Sequence, residues 1–263
     1  MLADTSTIPD VLVTVPVRNE QGLLSQTVES LWQSLQRSGI AYRLSISEDG
    51  STDGTPSLLP RLEAMYPELL TSHDDERRGR GYALRHLWEL VPAEIYAFTD
   101  ADLPAGPEAL TRVIQAVRDG ADVATASRYC PGARVTRPPL RSTVSRAYNW
   151  FVRTKFGDGI YDHQCGIKAF SRRAVDLIVR ESREDSWFWD TEVMVLAKMS
   201  GLKVVEIPVD WKETRHSRTS LRRLSSDLRL HGFGLFRLMG RQEWGISSPA
   251  VRRSTAATGL PGD

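Results

Sequence analysis

Lysine is scarce in this chain of 263 residues: Lys155, Lys168, Lys198, Lys203 and Lys212 are the only ones, and arginine supplies the remaining positive charge. Planar guanidinium groups suit two-point recognition of phosphate, although codon bias alone produces the same skew. Cysteine is scarcer still. Cys130 and Cys165 cannot build a disulfide framework or a cysteine-based zinc site. No apolar run approaches the roughly 20 residues needed to span a bilayer, and no secretory leader is visible, so a soluble cytoplasmic protein is expected. The net charge is only +1, which gives no general bias towards nucleic acid, and no nucleic-acid partner is expected. Neither a GxGxxG pattern nor a P-loop occurs. The most telling absence is local. From Val123 to Gly157 there is no acidic residue, while Arg128, Arg134, Arg137, Arg141, Arg146, Arg153 and Lys155 all fall inside. Solvated helices interleave charges of both signs, so this stretch reads as a surface for an anion.

Apolar residues make up 41% of the sequence, enough to bury the core of one large domain. Strand and helix signals alternate through the first half. Val11–Val17 and residues 42–47 read as strands, with an amphipathic helix over 22–37 between them. Thr55-Pro56 opens a second helix, residues 73–80 form a charged loop, and 82–90 are helical. Ile95–Thr99 is an apolar strand, followed by a helix from about Glu108 and a strand over 121–127. This rhythm predicts a mostly parallel α/β sheet with helices on both faces. In the second half, Pro131-Gly132 and Pro138-Pro139 mark a flexible loop and 140–156 is helical. A turn-rich stretch follows over 157–168, then helices at 172–180 and from Asp190, with a strand at 203–209. A basic amphipathic helix is expected over 220–239 and a disordered tail over 245–263, with the folded domain spanning 8–243. The basic helix suits either an anionic membrane surface or packing against protein.

Two strand ends carry the chemistry. Asp100-Ala101-Asp102 directly follows the Ile95–Thr99 strand, and Glu48-Asp49-Gly50-Ser51 follows the second strand. Paired carboxylates repel unless a cation lies between them, and Mg²⁺ or Mn²⁺ takes oxygen ligands. Parallel strands present their carboxyl ends on one edge, where open α/β sheets bind ligands. A carboxylate such as Asp49 can accept a hydrogen bond from a nucleotide base.

Three segments resemble the family 2 glycosyltransferases of the GT-A fold: Thr14 to Glu20 (TVPVRNE), Glu48 to Thr55 (EDGSTDGT) and Asp100 to Leu103 (DADL). The likeness covers roughly residues 10–240, implying a single GT-A domain. Asp162 to Phe170 (DHQCGIKAF) is similar to a motif of dolichyl- and polyprenyl-phosphate hexosyltransferases, a group holding glucosyltransferases and mannose synthases. Trp211-x-Glu213 with Ser217-Arg218 resembles a loop of the glucosyl branch, with Arg in place of its Lys and His216 in place of its Gly. The resemblance implies that Pro16, Arg18, Glu20, Asp49 and Asp53 line a nucleoside pocket. It implies that Asp100, Ala101 and Asp102 contact the donor, that both carboxylates ligate Mg²⁺ or Mn²⁺, and that Arg218 closes over the diphosphate. Mannose synthases often carry Gln two positions after the second Asp; Pro104 stands there, which favours UDP-glucose over GDP-mannose.

An acceptor phosphate would meet the acid-free stretch, with Arg128 and Arg141 as a bidentate clamp and Ser145 and Asn149 adding neutral hydrogen bonds. Asp162, Asp190 and Glu192 are candidates for a carboxylate near the acceptor, the last two equally suited to charge compensation at a helix start. The expected activity is inverting transfer of a hexose from a nucleotide diphosphate sugar to a polyprenyl phosphate, on the cytoplasmic membrane face if the basic helix binds lipid. The alternative is a soluble enzyme acting on a hydroxyl, which would need one of those carboxylates as base.

Overall fold

The computed structural model describes residues 9–213 and 232–240. Its central strand, β1 (Val11–Val17), points Val11, Val13, Val15 and Val17 into one apolar layer and Leu12 into the other. That is the period-two pattern of a strand covered on both faces. On the first face lie α1 (Leu24–Ser38), α2 (Thr55–Met65) and α4 (Pro107–Arg118). α1 inserts Leu24, Val28, Leu31 and Leu35, and it stops at Gly39, whose φ of 67° is the left-handed turn glycine permits. On the other face lie α3 (Arg80–Leu90), α6 (Arg172–Glu181) and α7 (Trp189–Met199). Trp88 and Trp189 from these helices meet Phe98 and Phe170 from the sheet with ring centroids 5.5 to 6.4 Å apart.

β2 (Tyr42–Asp49), β3 (Leu70–Asp74), β4 (Ile95–Thr99), β5 (Val123–Ser127), β7 (Ile167–Ser171) and β8 (Val204–Pro208) complete the sheet. The seven strands run in the order β3-β2-β1-β4-β7-β5-β8. Every pairing is parallel except those of β7, which lies antiparallel between β4 and β5. The mostly parallel, doubly covered sheet anticipated from the sequence is therefore present. A separate parallel ribbon joins β6 (Arg134–Thr136) to β9 (Asp210–Lys212).

Four strands were not foreseen. β3 is a polar edge strand (LTSHD) that is nowhere fully buried, so it carries no apolar alternation. β7 is completely buried until its last residue, but Lys168 in its second position breaks the apolar run. β6 and β9 have three residues each; β6 sits where a flexible loop was expected, and β9 just beyond the strand expected over 203–209. β2 runs through Asp49, so Glu48 and Asp49 end the strand instead of following it.

α5 (Pro139–Phe156) buries only Asn149 and Val152 of its eighteen residues. Val152 packs with Phe188, Val195, Leu235 and Leu238, the last two from a helix over 232–240, α8. α8 covers the end of the basic helix expected over 220–239. The rest of that helix, and the tail over 245–263, lie outside the described residues. Among the described residues no helix is long and apolar enough to cross a membrane.

Candidate active site

The carboxyl ends of β2, β1 and β4 lie side by side because these three strands are neighbours and parallel. The loops leaving β1 and β2 are knitted together. The N–H groups of Asn19, Glu20 and Gln21 donate to Ser51 Oγ (2.8 Å), Thr55 Oγ1 (2.9 Å) and Asp53 Oδ2 (3.2 Å). In return Thr52 N–H donates to Asn19 Oδ1 and Gly54 N–H to Gln21 Oε1. Asn19 holds a φ of 58°, an uncommon conformation for a side-chain-bearing residue that this lattice maintains.

Pro16 and Arg18 are half-buried at the end of β1, and the Glu20 carbonyl accepts from Leu23 and Leu24 N–H as α1 begins. Glu48 is buried, accepting from Ser51 N–H and facing His73 Nδ1. Asp49 Oδ1 accepts from Arg78 and Gly79 N–H at 2.6 and 2.9 Å, and Oδ2 accepts from Gly79 N–H at 3.0 Å. A carboxylate has about four acceptor positions, so Asp49 anchors the loop before α3 and keeps capacity for one more donor. Asp53 is exposed and braces the loops. What burial it has raises its pKa, and the Thr55 hydroxyl and N–H with Gln21 N–H outweigh this and lower it.

Asp100 and Asp102 follow β4 in a tight turn. Leu103 N–H donates to the Asp100 carbonyl at 3.2 Å, and Leu103 has a φ of 40°. Ala101 is buried, its carbonyl accepting from Thr27 Oγ1. Asp100 Oδ1 lies 2.8 Å from Arg80 Nη1. Arg80 is itself buried between the rings of Phe98 and Trp187, its guanidinium carbon 4.8 and 4.6 Å from their centroids. Its Nε is 3.5 Å from Asp190 Oδ2, and Asp190 Oδ1 takes a 2.7 Å bond from the buried Lys168 Nζ. Four charges of alternating sign thus run inward from the sheet edge: Asp100, Arg80, Asp190, Lys168. Burial pushes the Asp100 carboxyl above its ordinary range, Arg80 counters this, and Asp190 and Asp102 add to it.

Gly166 completes the floor. A Cβ there would meet Asp100 Oδ2 at 1.8 Å, so only glycine lets that carboxylate occupy its position. The donor set fits a hard dication, since Asp100 and Asp102 offer oxygens only and Asp102 is half-buried at the edge. Among the described residues no group of three or more His, Cys, Asp or Glu could enclose a metal, so such an ion would need oxygens from a ligand as well.

The second cluster corrects several expectations. Arg128 Nε and Nη2 bond Asp162 Oδ2 and Oδ1 at 2.7 and 2.8 Å, and Arg128 N–H adds a third bond at 2.9 Å. The two-point face of Arg128 is therefore on Asp162 and is not open to a phosphate. Asp162 is fully buried; burial alone would raise its pKa, but Arg128 outweighs it and holds the carboxyl low. A buried, doubly bonded carboxylate held below its usual range is a counter-ion, not a base. Asp190 is likewise committed, bonded to Lys168 with Arg80 Nε 3.5 Å away. Glu192, almost fully buried, accepts from the N–H groups of Arg183 and Glu184 and so pins the loop before α7.

Arg141 pairs instead with Glu213, which Arg137 Nε approaches to 3.6 Å. Lys212 N–H donates to the Pro104 carbonyl at 2.9 Å, so the end of β9 abuts the turn two residues past Asp102. Arg137 and Arg141 are thereby drawn towards the acidic edge. Ser145 is half-buried, its carbonyl accepting from Asn149 Nδ2. The Asn149 Oδ1 receives His163 N–H and Nδ1 at 2.8 Å each, while His163 Nε2 faces Asp158 Oδ2 at 2.8 Å. Asn149 is thus a structural tie. Arg218 lies outside the described residues.

Arg80, Lys168 and Gly166 were missed as parts of the site. One signal for Arg80 was available: Gly79 and Gly81 flank it, and a Cβ at either would collide with the Asp185 carbonyl or with the Glu184 carbonyl and Trp189.

The glycosyl transferase family 2 model matches residues 12–178. Glycosyltransferase AglD of Haloferax volcanii is 36% identical over 222 residues, covering 83% of this chain and 36% of its own length. This chain therefore spans about a third of that relative. Polyprenol monophosphomannose synthase of Mycolicibacterium smegmatis is 30% identical over 208 residues, covering 77% of each protein. Among solved structures, glucosyl-3-phosphoglycerate synthase from Mycobacterium tuberculosis, in complex with Mn²⁺, UDP and phosphoglyceric acid, superposes with a TM-score of 0.67 at 17% identity. That match covers 88% of this chain and 79% of the other, a likeness of fold. With the acidic strand ends, the GT-A architecture and the family match in agreement, this chain belongs to glycosyl transferase family 2.

Proposed function

We propose that the protein transfers a hexose, glucose in preference to mannose, from a nucleoside diphosphate sugar to a polyprenyl phosphate with inversion at the anomeric carbon. The observation that carries this reading is the engagement of the three carboxylates that were candidates for a base towards a hydroxyl acceptor. Asp162, Asp190 and Glu192 are buried, and each is bonded to a cation or to backbone N–H groups. A phosphomonoester needs no base, because its second pKa is about 6 and it is mostly dianionic at neutral pH.

In this reading Pro16, Arg18, Glu20, Asp49 and Ala101 contact the nucleoside end of the donor. Asp53 acts through the loop it braces, and Asp100 and Asp102 face the diphosphate. A divalent cation held by Asp102 and Asp100 would neutralise charge on the leaving diphosphate. Arg137, just before α5, with Arg141 and Ser145 on it, orients the acceptor, and Arg128 contributes through its remaining Nη1. Arg218 is assigned to the leaving group. An acceptor phosphate oxygen bonds to the anomeric carbon as the bond from that carbon to the diphosphate oxygen breaks. The nucleoside diphosphate departs, and no proton moves.

The M. smegmatis relative supports a polyprenol-linked acceptor by its name. Pro104 and the Trp211-x-Glu213 segment support glucose. The test is incubation of the full chain with Mn²⁺ and labelled UDP-glucose or GDP-mannose, with and without a short-chain polyprenyl phosphate. Label in the lipid phosphate from UDP-glucose is the expected result. Transfer to simple alcohols but not to the lipid phosphate would overturn the acceptor assignment, and exclusive use of GDP-mannose would overturn the donor.

A further inference from the structure

α5 is oddly placed for an amphipathic helix. Only Asn149 and Val152 are buried, while Leu140 and Phe151 are about half exposed and Trp150 is 60% exposed. α8, which meets α5 through Val152, Leu235 and Leu238, presents Phe233 and Phe236, each 71% exposed. Cations lie along the same α5 helix. Arg146 lies over the Tyr129 ring and Arg153 over the exposed Tyr161 ring, at 4.8 and 4.7 Å, and Lys155 is exposed near the helix end. No acid interrupts α5.

A core-packing helix hides its large apolar residues, and a purely solvated one does not carry Trp and Phe beside each other. Exposed aromatics interspersed with Arg and Lys along an acid-free α5 complement an anionic lipid headgroup layer. The rings enter the interface and the cations meet the phosphates. We propose that α5 and α8 together form a docking face for an anionic bilayer, with Trp150, Phe151, Phe233 and Phe236 as the inserted anchors. The inference rests on the lipid-acceptor reading above and deepens it. The same α5 carries Arg141, whose partner Glu213 directly follows the Lys212 that bonds the Pro104 carbonyl, so a phosphate emerging from the docked membrane would arrive near the acidic edge.

The test is flotation of the full chain with vesicles of phosphatidylcholine alone or mixed with phosphatidylglycerol. Binding to the anionic vesicles is expected, weakening as salt is raised. The Trp150→Ala/Phe151→Ala variant should lower the bound fraction at least about tenfold, as loss of interfacial aromatic anchors implies. Both side chains are exposed, and a matching circular dichroism spectrum would show that the fold survives. Transfer to a short, water-soluble polyprenyl phosphate should be unchanged in the variant. Vesicle binding equal to wild type in the variant, or no binding by the wild type, overturns the docking face. So does a wild-type dimer that the variant converts to monomer while vesicle binding stays the same. Failure of transfer to the short acceptor by the wild type would instead overturn the acceptor reading, so the two can fail separately.

Discussion

At the scale of single residues, the site divides into groups that face outward and groups that hold them. Asp102 belongs to the first. Asp102→Asn keeps the shape and removes the charge, so donor turnover should fall by more than about 100-fold, beyond the usual effect of an outer-sphere change, with the circular dichroism spectrum unchanged. Asp162 belongs to the second. Asp162→Asn strands the buried Arg128 charge, and breaking such a pair costs about 3–5 kcal/mol. Because the folded-state pKa of Asp162 is depressed, its contribution is fully present above the unfolded value of about 3.9. It is lost as pH falls through the folded value. Urea titrations at pH 7 and near pH 3 should therefore show a gap between wild type and variant that narrows in acid. The acidic pairs were readable from their positions after apolar strands. The buried partners were not, because a sequence gives no sign that Arg128 turns inward to Asp162, or that Lys168 lies in the core.

At the scale of elements, β7 explains most of what the sequence concealed. β1 and β4 announce themselves by apolar runs, β2 by the alternation of Tyr42, Leu44 and Ile46, and the helices of the first face by regular Leu and Val spacing. β7 holds a lysine whose charge is matched by Asp190 on α7, a match that exists after folding and not before. The strand also delivers Gly166 beneath Asp100. Gly166→Ala would drive a methyl into Asp100 Oδ2 and displace that carboxylate. Calorimetric titration with UDP in the presence of Mn²⁺ should show affinity reduced about 10- to 100-fold, the range for groups that orient a metal ligand. Unchanged affinity would mean that Asp100 does not face the donor.

At the scale of the molecule, the β6–β9 ribbon ties the segment before α5 to the segment after β8, and Lys212 at its end bonds the Pro104 carbonyl beside the acidic edge. If the donor is held jointly by the metal and the nucleoside loops, UDP with Mn²⁺ should stabilise the fold far more than either alone. At a hundred times the dissociation constant the linkage is about 2.7 kcal/mol, or about 5 °C in a thermal melt of a chain this size. Equal shifts with UDP alone would remove the metal from the donor site.

The antiparallel seat of β7 also has a consequence for synthesis. As the chain leaves the ribosome, β1 to β4 can assemble, but β5 has no neighbour among the strands made before it. Until Ile167–Ser171 emerges, the sheet has one open edge and one stranded strand. The arrival of that segment joins the two halves and, in the same step, seats Gly166 under Asp100. Nascent chains stopped before residue 167 should thus be protease-sensitive and unable to hold the donor, whereas those that carry β7 acquire the joined sheet and the finished acidic edge together.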